Sequence, residues 1–157
     1  MDKDTFTRLA LAQQRTLYRV AISYTGHLPD AEDAMQEALL RAWDKRHTLR
    51  DEALFGTWLT RILINECKTL LRRRRRTIPA ESLPLAAPAV PDDAAALLRA
   101  ELMALPEKYR LPLVLHALEG YAIRDIAQML RLPEGTVKTR IARARQKLGK
   151  EASDHAP

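Results

Sequence analysis

Apolar side chains recur at intervals of three and four residues along most of the chain, and this spacing constrains the fold more than any other feature. It places the apolar positions on one face of an α-helix, whereas a half-buried β-strand would show strict alternation. The chain has only 5 glycines in 157 residues. It also lacks the Gly-x-Gly-x-x-Gly and P-loop patterns that bind nucleotides on an α/β sheet. The sequence therefore predicts an all-α protein.

One segment, residues 77–93, interrupts the helical pattern. Small residues and few charges surround four prolines there, Pro79, Pro84, Pro88 and Pro91. Proline-rich stretches of this kind act as extended spacers. We therefore predict two small helical domains, residues 1–76 and 94–157, joined by a flexible linker over residues 77–93.

The charge balance indicates a polyanionic partner. Lys and Arg number 26 against 20 Asp and Glu, a formal charge of +6, which favours nucleic acid or an anionic membrane surface. A single cysteine, Cys67, excludes an internal disulfide framework and a Cys-rich zinc site. No apolar run is long enough to span a bilayer, and the polar N-terminus is unlike a secretory signal. We expect a cytoplasmic protein without membrane insertion.

In the first domain the periodicity predicts three helices. The first runs from Phe6 to Tyr24 as one helix that Gly26 ends, and the second opens with Asp30 as its N-cap. The third covers residues 54–76. In the second domain we expect helices over residues 93–105 and 106–118, then a short helix, a turn and a longer final helix.

The final predicted helix, residues 134–147, has two unlike faces. Val137, Ile141 and Ala144 share an apolar face, while small residues and Arg143 lie opposite. Preceded by a short helix and a turn at residues 131–133, this is typical of a helix-turn-helix whose second helix enters the DNA major groove. The spacing alone also fits an ordinary amphipathic helix with solvated cations.

The third and second helices of the first domain carry opposite charges. The third has a stripe of Arg61, Asn65, Lys68 and Arg72 that leads into the arginine run 72–76. Beside it, Trp58 could seal the core or stack on an unpaired base. The second helix presents Asp33, Gln36, Glu37, Leu40 and Asp44. That face indicates either a protein interface for a basic partner or a solvated acidic surface with one leucine.

Four stretches, in order, resemble a bacterial RNA polymerase sigma factor of the extracytoplasmic-function (ECF) type of the sigma-70 family. They are residues 30–43 and 58–65 with the arginine run, Leu105–Arg110, and residues 135–145. The resemblance implies a protein that binds core RNA polymerase and directs promoter-specific transcription initiation. It would recognise the minus-10 and minus-35 promoter elements and aid promoter melting.

The resemblance also implies a role for each matching surface. Residues 1–76 would be a region 2-like domain and residues 94–157 a region 4-like domain. The loop from His47 to Leu54 would help to open the minus-10 element, and an anti-sigma factor would be a further partner. The implied minus-10 residues are Trp58, Arg61, Asn65, Lys68 and Arg72; the minus-35 residues are Gly135, Thr136, Lys138, Thr139 and Arg143; the polymerase-binding residues are Asp33, Gln36, Glu37 and Leu40.

Three positions depart from the family pattern: Ala122 stands where Ser or Thr often caps a helix, Arg131 where glycine is frequent, and Thr69 where Asp is frequent. One alternative is an autonomous helix-turn-helix DNA-binding transcription regulator that works without polymerase. Another is a nuclease with metal bound by an acidic cluster, which would consist of Asp30, Glu32, Asp33 and Glu37. Two carboxylates on one face make a poor metal site. We therefore expect no enzyme, no catalytic or metal-binding residues and no cofactor.

Overall fold

The computed structural model describes residues 1–77 and 94–154. Within them the chain forms eight α-helices and no strand, which confirms the all-α prediction. The chain divides into two compact units, Met1–Leu85 and Ala86–Pro157, called here the N-unit and the C-unit. The predicted linker, apart from its first residue, lies outside the described residues.

The N-unit contains α1 (Lys3–Ala12), α2 (Gln14–Thr25), α3 (Leu28–Asp44) and α4 (Phe55–Thr77), with short 3-10 turns at Arg46–Thr48 and Glu52–Leu54. The C-unit contains α5 (Ala94–Ala104), α6 (Glu107–Leu113), a π-helical turn (Val114–Leu118), α7 (Ile123–Leu130) and α8 (Glu134–Asp154).

The N-unit core forms where α2 and α4 pack against α3. Apart from Asp30 in its first turn, the buried residues of α3 are all alanines, Ala31, Ala34, Ala38 and Ala42, so neighbouring helices can approach it closely. Larger residues of α2 and α4, including Leu17, Leu59 and Leu63, fill the remaining space. Phe6 of α1 covers one end of this core, with edge-to-face ring contacts to Trp43 and Phe55.

The prediction of one helix from Phe6 to Tyr24 is wrong, because Gln13 separates α1 from α2. Its N–H donates to the Ala10 carbonyl, only three residues back. Its side chain lies against Gly56 of α4, where an added Cβ would come within 2.9 Å of the Gln13 amide nitrogen. Apolar residues keep their period through such a break, so periodicity could not reveal it. Gly26 does end α2, in the left-handed conformation at φ 68°.

The assignment of Asp30 as an N-cap is also wrong. Helix α3 begins at Leu28, with His27 as its N-cap and Pro29 in the first turn. Asp30 therefore sits inside that turn, buried, and its carboxylate forms an ion pair with Arg74 of α4. The other carboxylate oxygen lies 3.3 Å from His27 Nδ1. The interaction links the start of α3 to the C-terminal end of α4.

In the C-unit, α6 and α7 pack against α8 through Leu111, Ile126, Val137 and Ile141. The predicted single helix over residues 106–118 ends at Leu113 and widens into the π-helical turn. Pro112 lies two residues before the π-helical turn begins and supplies no N–H to the helical ladder.

Candidate nucleic-acid and protein interfaces

Helices α7 and α8 form the predicted helix-turn-helix around an unusual turn. Arg131 ends α7 in the left-handed conformation, at φ 56° and ψ 48°. The following N–H, of Leu132, donates to the Ala127 carbonyl at 2.9 Å and closes the helix end. At the other end, Ala122 is the N-cap of α7 and makes no side-chain cap hydrogen bond. The helix-turn-helix thus forms although Ala122 and Arg131 suit their positions poorly.

The face of α8 opposite its buried stripe is open to solvent. Gly135, Thr139 and Arg143 are exposed on this face and Thr136 is half-buried there, while Lys138 is exposed at its margin. A Cβ added to Gly135 would meet no atom within 4 Å. The small size of Gly135 is therefore not required by packing within the chain, and it leaves room for an external ligand to approach the backbone.

Arg143 has a partner that the sequence analysis missed, Tyr109 of α6. Hydrogen bonding from the Arg143 side chain lowers the pKa of the Tyr109 phenol, and the Lys108 side chain contributes in the same direction. A cavity of about 340 Å³ opens beside the pair, between α6 and the N-terminal half of α8. Tyr109 lies within the Leu105–Arg110 stretch that carried the family resemblance, but nothing in its spacing pointed to α8.

The neighbouring Arg110 of the same stretch has an internal role. Its buried guanidinium donates to the carbonyls of Met103 and Leu105, at 3.2 and 2.7 Å. These oxygens lie at the C-terminal end of α5, where a helix lacks its own donors and carries partial negative charge. Arg110 therefore joins α5 to α6 and does not face solvent.

The predicted minus-10 residues follow the solvent side of α4. Arg61 and Arg72 are exposed, and Asn65 and Lys68 are half-buried between them. Trp58 is also half-buried, with its ring 5.8 Å from that of Phe55. It therefore packs against Phe55 and remains partly exposed to solvent.

The arginine run at the end of α4 is not uniform. Arg72, Arg73 and Arg75 are exposed, whereas Arg74 turns back to pair with Asp30. A run of like charges would have been taken as one polyanion-binding segment. In the structure at least one of its guanidinium groups is committed to holding α3 and α4 together.

The outer face of α3 is acidic and has an apolar centre. Asp33, Gln36, Glu37 and Asp44 are exposed, and Leu40 is 61% exposed. The basic residue within α3 itself, Arg41, forms an ion pair with Glu66 of α4. An exposed leucine surrounded by carboxylates suits a partner that offers an apolar pocket within a basic surface.

This face continues into a cleft between α1 and α3, with a volume of about 720 Å³. Its lining consists of Lys3, Phe6, Thr7, Gln36, Leu39, Leu40 and Trp43. The Arg46 guanidinium lies over the Trp43 ring, 3.7 Å from its centroid, which fixes one wall. Helix periodicity predicts Gln36 and Leu40 on this surface but does not reveal the contribution of α1.

The described residues include no group of three or more His, Cys, Asp or Glu side chains placed to hold a metal ion. The acidic cluster of the nuclease hypothesis is divided: Asp30 points inward to Arg74, while Asp33 and Glu37 face solvent. Within the same part of the chain, none of the helices has the length and hydropathy that crossing a membrane would need.

Two family models match this chain in the order of its units. Residues 9–77 match sigma-70 region 2, and residues 95–148 match sigma-70 region 4. Among curated proteins, the chain is 37% identical to the ECF RNA polymerase sigma factor SigM of Mycobacterium tuberculosis over 152 residues, which cover 95% of this chain and 78% of that protein. It is 32% identical to the RNA polymerase sigma-H factor of Pseudomonas aeruginosa, over 95% and 86% of the two chains.

Solved structures give the same match. The sigma factor RpoE, in complex with the anti-sigma factor NepR from Bartonella quintana, aligns with a TM-score of 0.84 and 25% identity, over 99% of this chain and all of that one. CnrH, in complex with the cytosolic domain of CnrY, aligns with a TM-score of 0.73 and 26% identity, over 99% and 92%.

Proposed function

Because the chain belongs to the ECF type of RNA polymerase sigma factors, we propose that its two units divide promoter recognition between them. As a sigma factor it directs promoter-specific transcription together with core RNA polymerase. The N-unit, through residues 1–76, would bind polymerase and the minus-10 element. The C-unit, through residues 94–157, would bind the minus-35 element.

The observation that carries the two roles proposed for the N-unit is the charge separation between its α3 and its α4. Its α3 presents exposed carboxylates around Leu40, whereas its α4 presents Arg61 and Arg72. DNA would be repelled by the first surface and attracted by the second. An autonomous helix-turn-helix regulator has no use for an acidic apolar surface in a separate unit, so that alternative explains less of the molecule.

On α4, minus-10 recognition would combine backbone charge with base capture. Arg61, Lys68 and Arg72 would neutralise phosphates along one strand, which positions the strand without reading its sequence. The partly exposed Trp58 ring and the Asn65 amide would contact an unstacked base. The turns over residues 46–54 lie directly before this helix and would help to hold the two DNA strands apart.

On α8, minus-35 recognition would use the open face of the helix. Gly135 and Thr136 lie in the first turn, where free N–H groups favour phosphate oxygens. Lys138, Thr139 and Arg143 follow along α8 and would face the DNA major groove. Arg143 would contact guanine, since a guanidinium matches the two acceptors on the guanine edge.

We also propose a protein inhibitor as a second partner. Both related structures are complexes: the sigma factor RpoE is bound to the anti-sigma factor NepR in one, and CnrH to the cytosolic domain of CnrY in the other. This chain would be held by an anti-sigma factor in the same way, in the cytoplasm where polymerase works. It would act without catalytic residues, metal or cofactor.

Gel filtration with core polymerase tests the polymerase-binding surface. The wild-type chain should co-elute with core enzyme, and Leu40→Asp should reduce co-elution more than tenfold, because a carboxylate replaces the apolar anchor. Leu11→Asp is the matched control, since Leu11 is 63% exposed on α1 and does not line the α1–α3 cleft. Equal behaviour of the two variants would refute the assignment of Leu40.

A further inference from the structure

Tyr109 and Arg143 together separate two cavities on the C-unit. The cavity of about 340 Å³ lies toward Gly135 and Thr139, and a second of about 630 Å³ lies toward Gln146 and Lys147. Tyr109 and Arg143 are the two residues that line both. Arg143 therefore lies between the two cavities, with Tyr109 beside it.

The Tyr109 ring is held from several sides. The residue is only 9% exposed. The ammonium groups of Lys108 and Lys147 lie 5.0 and 5.4 Å from its ring centroid, one from α6 and one from α8. Cations at this distance attract the electron-rich ring face. The buried ring is therefore confined between α6 and α8, and its phenol oxygen has less freedom than the end of an exposed side chain.

The two side chains lie close together, since both line the same two cavities. A guanidinium has only donors, so it can interact with the phenol only by donating to its oxygen, which agrees with the lowered pKa of Tyr109. An exposed arginine on α8 would otherwise sample many rotamers. Ordering a mobile side chain on binding costs conformational entropy and reduces affinity. A side chain that is already held in place avoids that cost. The guanidinium keeps further N–H groups after one bond to Tyr109, so it can still make the paired contacts that guanine requires.

We propose that Tyr109 is a positioning residue for minus-35 recognition: it holds the Arg143 guanidinium in place before DNA arrives. This inference rests on the proposed function of Arg143. It assigns to α6, which lies outside the helix-turn-helix, an indirect part in sequence specificity. The phenyl ring alone suffices for packing against α8, so the hydroxyl is the group that carries the role.

The test uses the full chain assembled with core polymerase on a promoter that supports transcription, with each minus-35 base pair replaced in turn. Tyr109→Phe should weaken promoter binding about 3- to 10-fold, the range expected for one freed side chain. The loss should fall on the same base pair that Arg143→Ala affects. Adding Tyr109→Phe to Arg143→Ala should change nothing further, because the tyrosine acts through the arginine. Tyr18→Phe, the same chemical change in the N-unit, is the control and should match wild type.

Each other outcome has a distinct meaning. If Arg143→Ala leaves minus-35 preference unchanged, the proposed function of Arg143 fails. If Arg143→Ala changes that preference and Tyr109→Phe does not, the positioning role is overturned. A Tyr109→Phe variant that melts earlier and binds all substituted promoters equally poorly would show a structural role instead, and would also overturn it.

Discussion

The ion pair between Asp30 and Arg74 allows a sharp prediction about the N-unit. It joins the first turn of α3 to the C-terminal end of α4, and no local sequence pattern relates the two residues. Arg74→Ala would leave a carboxylate that is 4% exposed without its arginine partner, 3.3 Å from His27 Nδ1. A buried charge that loses its partner is costly to keep in the folded state.

The expected decrease in the free energy of unfolding follows from the exposure of the two partners. Removing one partner from a fully buried pair costs about 3–5 kcal/mol. The Arg74 side chain is 27% exposed, and water can partly replace it, so we expect the free energy of unfolding to fall by about 2 kcal/mol. For a domain of this size that corresponds to a decrease in melting temperature of roughly 8–16 °C.

Tryptophan fluorescence can follow this unit separately, because the 2 tryptophans of the chain, Trp43 and Trp58, both belong to it. Arg75→Ala is the control: it removes an exposed arginine next to Arg74 and should shift the free energy by less than about 0.5 kcal/mol. Arg74→Ala should also leave the salt dependence of promoter binding almost unchanged, since its guanidinium is committed to Asp30. Equal melting temperatures for the two variants would refute the reasoning.

Three further predictions concern the DNA-binding surfaces. Arg131→Gly should stabilise the C-unit by about 1 kcal/mol in thermal unfolding, because glycine adopts the left-handed conformation without a Cβ penalty; a loss of stability would contradict this. Gly135→Ala should leave stability equal or higher yet weaken promoter binding, whereas Gly149→Ala, equally open on the same helix, should not affect binding. Arg72→Ala should weaken binding to all promoters and reduce the salt slope by about 0.7–0.9, while Arg143→Ala should weaken discrimination at the minus-35 element; identical profiles would contradict the proposed division.

The helical class was predictable because the buried faces are periodic. On α8, Val137, Ile141 and Ala144 are buried as their spacing indicates, and Arg143 is exposed on the other side. On α3, the spacing placed the small buried face and the exposed Leu40 correctly. These are local properties, and a helix of 3.6 residues per turn determines them.

What the sequence did not reveal depends on pairs of residues far apart in the chain. The break at Gln13 faces Gly56, Asp30 pairs with Arg74, and Tyr109 meets Arg143. Tertiary packing decides which residue of a charged run turns inward, so Arg74 could not be distinguished from its neighbours. The same applies to the α1 wall of the cleft beside Leu40, since periodicity describes a helix but not what it packs against.

The most direct test of the central claim is transcription in vitro from a promoter library, with purified core polymerase and this chain. Core enzyme alone should start few specific transcripts. With the wild-type chain, specific starts should appear at promoters that share two conserved elements, and Leu40→Asp should abolish them while the chain remains folded. Absence of chain-dependent transcripts across the library, although the wild-type chain is folded, would contradict the account.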